Sequence, residues 1–304
     1  MNRNHFYPYA ALIIGVLSVS ASAIFVKLSS SPAPVTAFYR MFLSVLILMP
    51  LFLLKSIKEI KLLTKKDWLF TILAGVLLAV HFILWFESLQ YTSVASSVVL
   101  VTLQPLFAFI GTYFFFKEKL SAGGILSSIL TIIGSMIISW GDLKVSGEAL
   151  FGDMLALAAC LMVTAYLLFG QEVRKRHNLT LYSGLVYGIS AATLLIYCLL
   201  FSYPLVPAER TDWFYFVLLA VFPNLLGHSL FNWALKWIST NTISVAILFE
   251  PVGAVILACI FLQEIITLTQ IIGGSIIMTG ILWFLLGNRP NKQRETAQEA
   301  SLID

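Results

Sequence analysis

Charge is what this sequence has least of. Of its 304 residues, 11% are Asp, Glu, Lys or Arg and 59% are hydrophobic, whereas a soluble domain carries about 25% charge. That shortage excludes an ordinary water-soluble fold, and a mean hydropathy of +0.92 agrees. Cysteine is scarce as well. Cys160, Cys198 and Cys259 lie singly inside apolar runs, without the spacing of a metal site or a disulfide framework, and read as small packing residues. The chain holds no Walker A loop, no His-x-x-Glu-His pattern and no Cys/His cluster, so no nucleotide site, metal or cofactor is expected. Its net charge of +4 does not point to nucleic acid, because the basic residues sit in short loops between apolar runs.

Those runs are what the sequence does have. An apolar stretch of about 20 residues marks a helix long enough to span a bilayer. Ten such stretches are expected, near 9–28, 35–54, 67–87, 93–116, 121–140, 151–170, 179–203, 213–235, 241–262 and 268–287. The remainder, 288–304, reads as a polar cytoplasmic tail, expected to be disordered. Lysine and arginine set the orientation. With the N-terminus inside, the inner side receives Arg3, the lysines at 55, 58, 61, 65 and 66, Lys117, Lys119, Arg174–Arg176, Lys236, Arg289, Lys292 and Arg294. The outer side keeps only Lys27, Lys144 and Arg210. This bias follows the positive-inside rule and places both termini in the cytoplasm of a cell-membrane protein. Ala21-Ser22-Ala23 also fits a signal-peptide cleavage site. The repeat below favours a retained first helix, since the sixth would otherwise lose its counterpart.

Pro105 and Pro251 lie 146 residues apart, and the same offset aligns the fourth and fifth spans with the ninth and tenth without a gap. It pairs Ser93 with Ser239, Ala108 with Ala254, Phe115 with Phe261, Glu118 with Glu264 and Gly134 with Gly280. Five spans separate equivalent points. Five is odd, so the second copy is expected to run upside down, as in transporters built from inverted repeats with a site near the midplane. The fold class expected is all-α and integral to the membrane: two inverted five-helix repeats, 9–140 and 151–287, around a central cavity.

The candidate site centres on Glu250. A charged group in a bilayer core costs about 2.5–3.5 kcal/mol on insertion scales and is rarely there without a reason. Apolar surroundings disfavour the charged form of a carboxyl in general, so Glu250 reads as a proton-coupling or substrate-amine site, or else as a structural hydrogen-bonding group. Its repeat partner Gln104 is neutral. The adjoining prolines, Pro105 and Pro251, are hinge candidates, because each leaves the carbonyl four residues back without its donor. Asn224, His228 and Asn232 recur at intervals of four and share a helix face; His81 and Trp85 do the same, and Tyr166 is a further lining candidate. The alternative for these polar groups is interhelical hydrogen bonding, worth about 0.6 kcal/mol per pair. The two histidines are expected above and below the midplane. Arg40, inside the second span, is expected to be structural and to snorkel towards the outer interface. Small residues at Ser127, Gly134, Gly273 and Gly280 fit close packing of the fifth and tenth spans, or a homodimer contact there.

Arg40, the Gln104-Pro105…Glu118 block and the Glu250-Pro251…Glu264…Gly280 block resemble the drug/metabolite transporter superfamily, specifically its EamA-type carriers, over about residues 9–287. The resemblance implies ten helices around a cavity lined by the first, third, fourth, sixth, eighth and ninth. It also implies a secondary transporter, not an enzyme, exporting small metabolites such as amino acids. A lipid flippase, a non-transporting receptor or a membrane-embedded enzyme is the alternative. Membrane lipid and a small-molecule substrate are the expected partners, with no nucleic acid.

Overall fold

The computed structural model describes residues 3–117, 122–143, 147–207 and 209–287. Glu118, Lys119, Lys144 and the tail 288–304, all singled out above, lie outside the described residues. Among those described, every regular element is helical. In chain order these are α1 (Arg3–Ser20), α2 (Ser22–Leu28), α3 (Ala33–Lys55), α4 (Lys65–Tyr91), α5 (Val94–Val101), α6 (Gln104–Phe116) and α7 (Ala122–Leu143). There follow α8 (Gly147–Arg174), α9 (Leu179–Leu200), α10 (Thr211–Leu219), α11 (Ser229–Ala234), α12 (Thr240–Ile247), α13 (Glu250–Phe261) and α14 (Leu268–Gly287). A short 3₁₀ helix, Ile57–Leu62, follows α3, and a π-helical stretch, Ala220–His228, joins α10 to α11.

Several of these elements run on as single rods. Eight helical stretches among the described residues are long and apolar enough to cross a membrane, from Tyr7–Leu28 to Thr240–Phe261. Two shorter apolar helices, Ile125–Gly134 and Leu268–Gly280, fall where the fifth and tenth spans are expected. Large apolar side chains such as Leu54, Leu200 and Ile260 are exposed, which is the surface that lipid tails cover.

The 146-residue offset reappears in the backbone. Ser93 and Ser239 each cap a helix by accepting a hydrogen bond from the amide three residues on, the ordinary N-cap chemistry of serine. The helices so begun, α5 and α12, end at Val101 and Ile247, four residues before each proline. These are the carbonyls that lose a donor to Pro105 and Pro251. The chain closes each gap with tighter three-residue bonds, Leu103 N to Leu100 O at 3.3 Å and Phe249 N to Ala246 O at 3.1 Å. It then restarts as α6 and α13, with each proline in the first turn, where a missing N–H costs nothing. The far ends match too: Lys117 and Gln263 both take left-handed backbone, with φ of 57° and 55°.

α7 and α14 pack against each other. A Cβ on Gly134 would sit 2.5 Å from the Gly273 carbonyl oxygen, and one on Gly280 would sit 3.2 Å from that of Ser127. The small-residue faces are therefore used within one chain, at backbone-to-backbone distance.

A buried polar cavity between the halves

Where α5–α6 and α12–α13 break, a small cavity of about 30 Å³ lies between the two halves. Its lining includes Val19 and Ser22 of α1–α2, Arg40 of α3, His81 and Trp85 of α4, Val101 and Gln104, Val163 and Leu167 of α8, His228 and Phe231, and Ile247 and Glu250. Equivalent positions of the repeats contribute to it in pairs: Trp85 and Phe231, Val101 and Ile247, Gln104 and Glu250. The helices that contribute are those the resemblance implies, with α3 added.

Arg40 is the residue whose setting the sequence conceals most. It is fully buried rather than snorkelling, with Nη1 donating to Ser22 Oγ at 2.8 Å and its guanidinium 4.1 Å from the centroid of the Phe82 ring. That stacking is a favourable cation–π geometry. Nε and Nη2 make no hydrogen bond. Ser44 Oγ donates to the Arg40 carbonyl at 2.7 Å and accepts from Asn224 Nδ2 at 2.8 Å, which ties this turn of α3 to the π-helical stretch.

Other lining groups are likewise open. Trp85 Nε1, Gln104 Oε1 and His228 Nδ1 are buried without hydrogen-bond partners, and buried polar groups left unmatched are costly enough to call for an explanation. His81 Nδ1 lies 2.9 Å from the Ala159 carbonyl. A carbonyl only accepts, so Nδ1 carries the hydrogen and Nε2 is the acceptor. His81 stacks on Trp85 with centroids 5.7 Å apart. Glu250 is buried in the same cavity, and no ion pair joins it to Arg40. One basic and one acidic side chain thus share a cavity without a direct ion pair.

The remaining candidates divide. His81 and His228 are brought together, with ring centroids 6.5 Å apart. Tyr166, Asn224 and Asn232 lie outside the lining. Asn224, in the π-helical stretch, is instead engaged by Ser44 through the bond given above. Asn232 Oδ1 accepts from Tyr166 OH at 2.5 Å, and the Asn232 carbonyl accepts from Arg174 Nε at 2.8 Å. Tyr166 keeps its ring 6.2 Å from His228, one layer behind the cavity. Pro105 and Pro251 are buried next to the lining residues Gln104 and Glu250. Glu264 accepts from Val94 N at 3.2 Å and so caps α5. Among the described residues no group of three or more His, Cys, Asp or Glu could hold a metal.

Apolar helices long enough to span a bilayer, repeated about a buried polar cavity, mark a multi-pass membrane protein. The EamA-like transporter family model matches residues 7–140 and 150–286, and the chain belongs to that family. A relative from Archaeoglobus fulgidus, named as an uncharacterized transporter, is 25% identical over 281 residues, covering 91% of this chain and 95% of its own. The Bacillus subtilis transporter YetK, also named as uncharacterized, is 26% identical over 308 residues, covering 97% and 91%. A solved structure aligns with a TM-score of 0.71 at 15% identity, over 92% of this chain and 96% of the other, a likeness of fold. The protein is accordingly a membrane transporter.

Proposed function

We propose that this protein is a secondary carrier that exports small metabolites bearing both an amine and a carboxylate, such as amino acids, by alternating access. One observation carries the reading: Arg40 and Glu250 are buried in one cavity and not paired with each other. A zwitterionic substrate supplies the missing partner to each, its carboxylate meeting the open guanidinium N–H groups and its ammonium meeting the acid. Burying an unmatched charge is strongly unfavourable, so such a ligand is held by groups that gain most from its arrival. Trp85 and Phe231 suit an apolar side chain on that substrate.

In this reading the chain crosses the cell membrane ten times as two inverted five-helix halves, with both termini cytoplasmic, as the loop charges favour. The breaks at Pro105 and Pro251 are the places where each half bends. Glu250, whose counterpart Gln104 cannot ionise, is the proton-coupling group, so coupling resides in the second half. The outward faces of α7 and α14, with Ile132, Met136 and Ile272 exposed, meet lipid or a second copy in a homodimer.

Counterflow in proteoliposomes with amino acids, purines and polyamines tests this. Exchange confined to zwitterionic amino acids supports it, and exchange of purines or polyamines alone contradicts it. A lipid flippase is the second reading, favoured by the apolar groove of about 260 Å³ between α3 and α9, lined by Val45, Phe52, Gly184 and Ile189. Scrambling of labelled phospholipid in the same vesicles would establish that reading instead.

A further inference from the structure

Two aspartates far from the cavity tie the halves together at opposite ends of the bundle. Asp67, in the first turn of α4, is fully buried and accepts from Arg176 Nη2 at 2.6 Å. His177 Nε2 lies 3.1 Å from its other oxygen, which also accepts from Thr64 Oγ1 at 2.7 Å. Asp212, in the first turn of α10, is fully buried too, and accepts from Ser29 Oγ at 3.0 Å, Ser30 N at 2.8 Å and Ser31 Oγ at 2.6 Å.

The two clusters correspond. The 146-residue offset carries Ser30 onto Arg176 and Ser31 onto His177, and Asp67 falls within one residue of the counterpart of Asp212. In each case the third spanning helix of one repeat holds the loop after the first spanning helix of the other repeat. Both contacts therefore cross between 7–140 and 150–286, the two matched repeats. Their chemistry differs. The Asp67 end is ionic and lies among the lysines and arginines that mark the cytoplasmic side, whereas Asp212 is held by hydroxyls and one amide alone.

We propose that these are the two gates of the transport cycle: an ionic latch at Asp67 that shuts the cytoplasmic entrance and a hydroxyl latch at Asp212 that shuts the outer one. The proposal rests on the inverted, alternating-access reading above. Opening to one side requires releasing one latch while the other holds. Because a hydrogen bond to a charged group is stronger than one between neutral groups, neutralising either aspartate loosens its own entrance and biases the carrier towards that side.

The test uses the full chain with Cys160, Cys198 and Cys259 changed to alanine and one cysteine placed at Val101, on the cavity wall. Membrane-impermeant maleimide is applied to intact cells and to inside-out vesicles. Asp67→Asn is expected to raise the ratio of inside-out to intact-cell labelling about tenfold, the population shift that loss of a charge-assisted bond brings; Asp212→Asn is expected to lower it by a similar factor. Arg176→Gln and Ser31→Ala, which keep both aspartates, should move the ratio in the same two directions by less. They keep the test informative if an aspartate variant fails to fold. Shifts in one common direction, or an unchanged ratio in protein that labels from both sides, overturn the latches and leave the carrier reading intact. Labelling from neither side in any background overturns the carrier reading itself, and the latches with it.

Discussion

Gln104 and Glu250 occupy the same step of the two repeats, each opening the second half of a broken helix and each lining one cavity. Their backbones match and their chemistry does not. The surroundings are built twice, from Ser93 and Ser239 at the caps to Lys117 and Gln263 at the left-handed ends, so a single acid stands out against a duplicated frame. The predictions below separate what the frame does from what the acid and its neighbours do.

Arg40 contributes through its fork of donors and through its stacking on Phe82. Arg40→Lys keeps the charge and loses both the planar fork and the flat contact. Uptake kinetics should show KM for a carboxylate-bearing substrate rising about tenfold or more, as loss of a charged hydrogen bond implies. An unchanged KM would mean that the guanidinium only holds Ser22 and Phe82 in place.

The prolines are expected to cost stability and supply motion. Pro105→Ala and Pro251→Ala each return an N–H that can reach the Val101 or Ile247 carbonyl and straighten the helix. Melting in detergent should move upward while the transport rate falls. A variant that melts higher and transports as fast as the parent removes the hinge from the mechanism.

Gly134 and Gly274 make a matched pair of tests for the α7–α14 contact. A methyl group at Gly134 meets the Gly273 carbonyl oxygen at 2.5 Å, while one at Gly274 meets nothing within 4 Å. Gly134→Ala should therefore destabilise by about 1–3 kcal/mol, the usual cost of overpacking. Gly274→Ala should be neutral or gain about 0.5–1 kcal/mol from helix propensity. Thermal unfolding of both variants decides it.

Lys117 and Gln263 hold left-handed backbone at helix ends, a conformation that costs an L-residue about 1–2 kcal/mol and that glycine adopts freely. Lys117→Gly and Gln263→Gly should each raise the melting temperature. A drop at either position would show that its side chain makes a contact worth more than the strain.

Much of the frame was legible in the sequence because it rests on local rules. Caps, proline breaks and apolar length are written in neighbouring residues, and a repeat at a fixed offset multiplies a weak signal by two. The cavity was half legible. Glu250, Gln104, His81, Trp85 and His228 stand out as polar or bulky groups in apolar runs and do line it. Arg40 was misplaced because no pattern along the chain shows that Ser22 of α2 and Phe82 of α4 close over it. Asn224 and Asn232 are engaged by Ser44, Tyr166 and Arg174 on neighbouring helices, partners that spacing along one helix does not show. The Asp67–Arg176 contact spans 109 residues, and no local pattern announces it, although the repeat offset would have hinted at it once Asp212 had been placed.

Glu250 is proposed to couple transport to protons within the cavity it shares with Arg40. Proteoliposomes with an imposed pH gradient test it most directly, comparing the parent with Glu250→Gln, which reproduces the residue of the first repeat. The account predicts that gradient-driven accumulation disappears in the variant while counterflow of the same substrate persists. Accumulation at the parental level in Glu250→Gln would contradict it.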